Sequence, residues 1–276
     1  MEIKIVNLSE LYGIGGTATL KCFLHKGDGE MAPYNQNLPA MIAVPGGGYH
    51  FVSEREGDPV AVEFFNRHYN AFTLVYDIAP AARYPLALTE LACAVDYIKT
   101  HAEELHVDPK RVFAAGFSAG GHLVGCLANF YKNLPVSEAN GKKLDAALTG
   151  IVMGYPVIAP GTHGGSFENL LGTKDMNAPE VQALSLEKTV TPDNPPCFIW
   201  TTAEDTCVDP MATVMYTTAL IKNKVTVESH IFPYGWHGAS VGDERAFTAE
   251  QATHFVRVRE WTDLAAKFLE SLPSLK

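Results

Sequence analysis

The sequence predicts an α/β protein: a mainly parallel central sheet with helices on both faces. Three observations predict it. Apolar runs of strand length alternate with amphipathic stretches of helix length along the chain, which calls for βαβ crossovers and a sheet covered on both sides. The chain has 276 residues, 47% hydrophobic and 19% charged, enough apolar material for a large core. Finally, Gly116-Phe117-Ser118-Ala119-Gly120 stands between an apolar run, Arg111 to Ala115, and a helix-prone stretch, Gly121 to Tyr131. That is the strand–turn–helix setting in which a G-x-S-x-G pentapeptide forms a nucleophile elbow. The pentapeptide alone also fits a plain small-residue turn with a solvated serine.

The elements follow in order. Residues 2–7 and 17–24 read as strands near a sheet edge, joined by a Gly-rich turn at 13–16. Met41 to Val44 is a short buried strand, cut off by Pro45-Gly46-Gly47-Gly48. Pro59 to Asn70 reads as a helix with Asp58 as N-cap and proline at its first position. Ala71 to Tyr76 is a strand. Pro85 to His101 is a helix, because Leu88, Leu91, Ala92, Val95 and Ile98 recur at steps of three and four. Strands follow at Arg111 to Ala115, Ala147 to Met153, Cys197 to Thr202 and Thr226 to Phe232. Met211 to Asn223 is a helix, and Phe247 to Ser271 contains a long closing helix.

No internal repeat or low-complexity linker divides the chain, so residues 1–276 read as one domain. The formal net charge is −10. An acidic surface is poor for phosphate backbones and anionic membranes, so no nucleic acid is expected as partner. No apolar run approaches the ~18 residues of a membrane span. The start, Met1-Glu2-Ile3-Lys4-Ile5-Val6, lacks the pattern of a signal peptide. The five cysteines, Cys22, Cys93, Cys126, Cys197 and Cys207, are scattered and mostly lie in apolar segments. Buried free thiols suit a cytoplasmic location. Oligomeric state is open, a homodimer included.

Ligands of such sheets bind at the carboxyl ends of the strands. Loops with suggestive chemistry leave the strands after Val44, Ala115, Thr202 and Phe232. A serine needs a base within hydrogen-bond reach, and the base needs an orienting partner. His237 is the best base, in a Gly-flanked loop after a predicted strand. Asp205 is the best carboxylate, also just past a strand end. The order Ser118, Asp205, His237 is that of an α/β-hydrolase. Asp209 and Glu204 share the Asp205 loop. Asp209-Pro210 looks like a helix start, which makes N-capping its role, and Glu204 is expected in solvent. Among the other histidines, His122 is expected to pack inside the helix after the elbow, and His50 to line a pocket. No histidine and carboxylate set has metal-ligand spacing, so neither metal nor cofactor is expected. An acyl-transfer site also needs oxyanion donors. Pro45 to Tyr49 is placed to supply them, with the N–H of Ala119 as another. A P-loop is excluded because no Gly-Lys-Ser/Thr follows.

Four blocks together resemble the α/β-hydrolase esterases of the hormone-sensitive-lipase-like and acetyl-xylan-esterase-like kind. They are Pro45-Gly46-Gly47-Gly48-Tyr49, Tyr76 to Pro80 with Tyr84-Pro85, Gly116 to Gly121, and the pair Asp205 and His237. They run in the family's order from about residue 40 to 240. Pro45 stands where many relatives have histidine. The resemblance implies an α/β-hydrolase fold, the catalytic set Ser118, Asp205 and His237, and oxyanion donors at Gly46, Gly47 and Ala119, with Gly48 a further candidate. It also implies that the large N-terminal helical cap is absent, leaving residues 155–195, with His163, as a small lid insertion. Tyr76-Asp77 and Tyr84-Pro85 would form a turn that locks the strand beside the glycine loop, with Asp77 a minor candidate for holding that loop. Gly48, Tyr49, His50, Phe51 and Trp236 are candidate pocket residues.

The expected activity is hydrolysis of small-molecule carboxylic esters with short acyl groups, acetyl first, on sugars or xylo-oligosaccharides. The rivals are a prolyl-oligopeptidase-like peptidase, an arylformamidase using the same machinery, and a non-catalytic ligand receptor. The chain has no room for the propeller of the first, and receptors on this scaffold tend to lose the serine or histidine.

Overall fold

The structure, a computed structural model, describes residues 1–273. One sheet holds eight strands: β1 (Glu2–Asn7), β2 (Thr19–Leu24), β3 (Leu38–Val44), β4 (Asn70–Val75), β5 (Val107–Phe117), β6 (Gly150–Gly154), β7 (Cys197–Thr202) and β8 (Val227–Phe232). Their spatial order is β1-β2-β4-β3-β5-β6-β7-β8. β2 is antiparallel to both of its neighbours, and every other pairing is parallel.

Alternation along the central strands divides the core in two. Ile42 and Val44 of β3, Val112 and Ala114 of β5, and Ile151 and Met153 of β6 face one layer. Met41 and Ala43, Phe113 and Ala115, and Val152 face the other. Both sets are buried, as they must be in a sheet with helices on each side. The first layer is completed by α3 (Leu86–Thr100), α4 (Ala119–Phe130) and α8 (Met211–Lys222), and the second by α2 (Asp58–Phe65) and α10 (Trp261–Glu270).

Several expected boundaries shift for identifiable reasons. A short helix, α1 (Leu8–Tyr12), fills the link between β1 and β2 where only a turn was expected. The Asn7 side chain caps it by accepting from Glu10 N, and left-handed Gly13 ends it. Helix α2 stops at Phe65 rather than Asn70. Asn70 instead starts β4, where its side chain accepts from His25 N and donates to Leu105 O. Asp58 is not the N-cap of α2; Gly57 is, and the Asp58 carboxylate takes Lys21 Nζ at 2.5 Å and Thr73 Oγ1 at 3.0 Å. The long closing helix is broken into α9 (Ala249–Ala252), two 3₁₀ turns and α10. Residues 155–195 carry three short helices, α5 (Gly164–Leu171), α6 (Pro179–Gln182) and α7 (Leu186–Thr189). No helix among the described residues is long and apolar enough to cross a membrane.

Candidate active site

Neighbouring parallel strands end in register along one rim. Val44 pairs with Gly116, Phe117 with Gly154, Gly154 with Trp200, and Thr202 with Phe232. The loops after β3, β5, β7 and β8 therefore leave side by side.

Ser118 sits between β5 and α4 with φ 52° and ψ −120°. L side chains rarely adopt this conformation, and it persists only where the surroundings over-determine it. They do so here. Ser118 N donates to Gly154 O at 3.0 Å, and Ser118 O accepts from His122 N and Val157 N at 3.1 and 3.0 Å. A Cβ on Gly116 would lie 2.3 Å from Gly120 O, and one on Gly120 would lie 2.2 Å from Val44 O. Strand and helix thus touch backbone to backbone beneath the serine.

The three side chains singled out by chain order do meet. His237 Nε2 is 2.8 Å from Ser118 Oγ, and His237 Nδ1 is 2.6 Å from Asp205 Oδ2. The Asp205 side chain is fully buried, and its Oδ1 accepts the N–H groups of Cys207 and Val208 at 2.9 Å each. A carboxylate facing three donors places the His237 proton on Nδ1. The Nε2 lone pair then faces the serine hydroxyl. Glu204 is exposed, but its Oε2 takes Gly235 N at 3.0 Å and braces the histidine loop, so it is not simply solvated. Asp209 Oδ1 accepts Met211 N at 2.9 Å where α8 begins.

In the glycine loop, Gly47 has φ +121°, and a Cβ there would come within 2.0 Å of Phe51 O. Among the described residues, the N–H groups of Gly47 and Ala119 have no acceptor. Gly46 departs from expectation: its N–H donates to the buried Glu56 Oε2 at 2.8 Å. A donor committed to a carboxylate is withheld from an anion in the groove, so Gly46 serves as an anchor of the loop.

Glu56 is the site residue that the sequence concealed. Its Oε1 accepts Tyr155 OH at 2.8 Å, and Tyr155 OH accepts Ser240 N at 2.9 Å. The carboxylate thereby ties the glycine loop to the histidine loop, and the Tyr155 ring stands edge-on to His237 with centroids 4.9 Å apart. Nothing in Ser53-Glu54-Arg55-Glu56-Gly57 separates Glu56 from exposed Glu54. Tyr76 OH holds Pro45 O at 2.7 Å. Asp77 does not hold the loop; it binds Thr17 N and Oγ1 at 2.6 Å each.

A groove of about 430 Å³ opens over Ser118 and His237. Of the candidate pocket residues, Gly48, His50 and Phe51 line it. Tyr49 and Trp236 do not. Tyr49 is buried, and its OH bonds His122 Nδ1 at 2.8 Å, while His122 Nε2 donates to Leu184 O at 3.0 Å. Burial lowers the His122 pKa to about 4, so it is a neutral packing histidine. Trp236 packs instead against Phe247, His254 and Phe255. The 155–195 stretch contributes two residues that the groove needs. Asn169 holds Gly48 O at 2.9 Å, and His163 bonds Ser166 Oγ at 2.8 Å. Exposed Cys207 also faces the groove, while the other four cysteines are buried and free. Among the described residues no three His, Cys, Asp or Glu side chains converge as a metal site would require.

The sheet order and the strand–turn–helix that carries Ser118 are those of an α/β-hydrolase. The BD-FAE family model matches residues 31–220, and the chain belongs to that family. Endo-1,4-beta-xylanase B of Butyrivibrio fibrisolvens is 35% identical over 213 residues, which cover 75% of this chain and 33% of that protein. An acetylxylan esterase of Xylanibacter ruminicola is 26% identical over 249 residues, 86% of this chain and 46% of that protein. The chain therefore spans only a third to a half of the length of these relatives. Among solved structures, an acetyl ester-xyloside bifunctional hydrolase from Caldicellulosiruptor lactoaceticus has a TM-score of 0.78 at 30% identity, covering 93% of this chain and 88% of that one.

Proposed function

We propose that the protein is a carboxylic-ester hydrolase that removes short acyl groups, acetyl first, from acylated sugars or xylo-oligosaccharides. The observation that carries this reading is the line from Ser118 Oγ through His237 to Asp205, with links of 2.8 and 2.6 Å, at the floor of an open groove. His237 takes the Ser118 proton as the oxygen attacks the acyl carbonyl. The N–H groups of Gly47 and Ala119 receive the oxyanion. The intermediate collapses, and the alcohol leaves with the proton from His237. Water, deprotonated by the same imidazole, then attacks the acyl-enzyme and releases the acid. Asp205 fixes the tautomer and stabilises the imidazolium. The whole chain acts as one catalytic domain, with residues 155–195 as an insertion that walls the groove through His163 and Asn169. The acetyl preference draws support from the two relatives whose names include acetyl esters.

The test combines Ser118→Ala with an acyl series. Turnover of p-nitrophenyl acetate should fall by ~10³-fold or more with circular dichroism unchanged. A fluorophosphonate should label Ser118 in the wild type, and acetate should be cleaved faster than butyrate. Comparable turnover in the variant removes Ser118 from the mechanism, and a strong preference for longer chains overturns the acetyl assignment.

A further inference from the structure

We infer that Arg55 determines specificity by binding a carboxylate on the alcohol portion of the ester. The inference rests on the esterase reading above and adds a substrate feature to it.

Seven arginines occur in the chain. Arg67, Arg111, Arg245 and Arg257 pair with carboxylates. Arg83 and Arg259 donate to backbone carbonyls. Among the described residues, the Arg55 guanidinium has neither an ion pair nor a hydrogen-bond acceptor, in a chain of formal charge −10. Its neighbour Glu56 is committed to Gly46 N–H and Tyr155 OH. The side chain is exposed, and two neighbours locate its cation. It stands over the Phe247 ring at 5.3 Å from the centroid, and a Cβ on Gly238 would meet Arg55 Nη2 at 3.4 Å.

This arrangement sets a planar fork of donors on the wall of the groove that holds Ser118, next to the residue that follows His237. His237 is the group that hands a proton to the departing alcohol, so a cation at its flank meets the alcohol side of the ester. Ser53 and Arg55 also line an adjoining cleft of about 670 Å³. Groove and cleft share that wall, which leaves room for an alcohol much larger than the acyl group. The other cations of the cleft are already matched, Lys21 by Asp58 and Arg245 by Glu63 and Asp243. One unmatched guanidinium suits one singly charged planar anion. A carboxylate fits its fork bidentately, whereas a doubly charged phosphate would lack a second cation.

The experiment uses mono-acetylated methyl glucuronides and the same compounds with the carboxylate methylated. Each rate is corrected for the compound's alkaline hydrolysis. For the wild type, kcat/KM should favour the free carboxylate by about tenfold, the size of a charge-assisted hydrogen bond partly exposed to solvent, and the advantage should shrink with added salt. The ratio should fall to about one in Arg55→Met and lie between in Arg55→Lys, which keeps the charge but not the fork. Because each ratio comes from one enzyme preparation, partial unfolding of a variant cancels. A wild-type ratio near one in an active enzyme, or an undiminished ratio in Arg55→Met, overturns the inference alone. A wild type that cleaves neither ester nor p-nitrophenyl acetate overturns the esterase reading with it.

Discussion

At the scale of single residues, one loop offers three carboxylates and uses each differently. Glu204 braces Gly235, Asp205 receives His237 Nδ1, and Asp209 meets the first turn of α8. Only Asp205 combines burial with three donors. Asp205→Asn offers an amide where a proton acceptor is needed and favours the wrong imidazole tautomer. Its kcat on p-nitrophenyl acetate should drop by ~10⁴-fold, while Asp209→Asn should stay within several-fold of wild type. The reverse order would make Asp209 the orienting acid. The pentapeptide singled out Ser118, and chain order with strand-end position singled out Asp205 and His237, three side chains that come within hydrogen-bond reach of one another. Glu56 was illegible, because its value lies in partners 10, 99 and, through Tyr155, 184 positions away (Gly46, Tyr155 and Ser240). Gly46 was misread for the same reason: a glycine-rich loop shows that N–H groups can turn inward, but not which of them a distant carboxylate has already taken.

At the scale of elements, the turn carrying Ser118 depends on contacts between backbones. A Cβ at Gly120 would lie 2.2 Å from Val44 O and 2.4 Å from Pro45 O. Neither atom can swing away as a side chain could. Gly120→Ala should cost about 3 kcal/mol or more, read from the urea midpoint at constant slope. A loss below ~1 kcal/mol would show that α4 can lift off β3 cheaply. Strong periodicity made α3 legible, since Leu88, Leu91 and Val95 do enter the core. It could not locate the end of α2, where Asn70 is drawn into β4 by bonds to His25 and Leu105. Nor could it break the closing segment, where α9 and α10 are separated by Arg259 bonding Ala252 O and Gly242 O.

At the scale of the whole molecule, buried Glu90 and half-buried Asp77 join α3, the end of β4 and the link before β2. Glu90 Oε2 accepts Asp77 N at 2.9 Å, and Asp77 accepts from Thr17. Burial first, then the hydrogen bond with Asp77, pushes the Glu90 carboxyl up to about 8. Burial also pushes the Asp77 carboxyl up, but hydrogen bonds from Glu90 and Thr17 outweigh it and hold it below its ordinary value. Asp77 therefore keeps the charge and Glu90 the proton. Between the ordinary value of 4.5 and about 8 the native state holds a proton that the unfolded chain releases. Stability from this group is thus complete at the acid end of that window and is lost as pH rises through it. Glu90→Gln removes the titration. Relative to that variant, wild type should lose on the order of 5 kcal/mol across the window in denaturant titrations, at about 1.4 kcal/mol per pH unit. Parallel stability curves would show that Glu90 is ionised throughout.

By itself the sequence determined the α/β layering, the run of parallel strands and the three residues that converge at their ends. Those features follow from local periodicity and from chain order, which short loops and right-handed crossovers translate directly into space. Packing alone settled which aromatic side chains reach the groove and, among the described residues, which N–H groups of the glycine loop stay free and which arginine lacks a partner. None of these leaves a mark in the local pattern: the Gly46 N–H goes to a carboxylate ten positions on, Trp236 turns toward Phe247 and Phe255, and Arg67, Arg111 and Arg257 pair with carboxylates within four residues whereas Arg55, flanked by Glu54 and Glu56, does not.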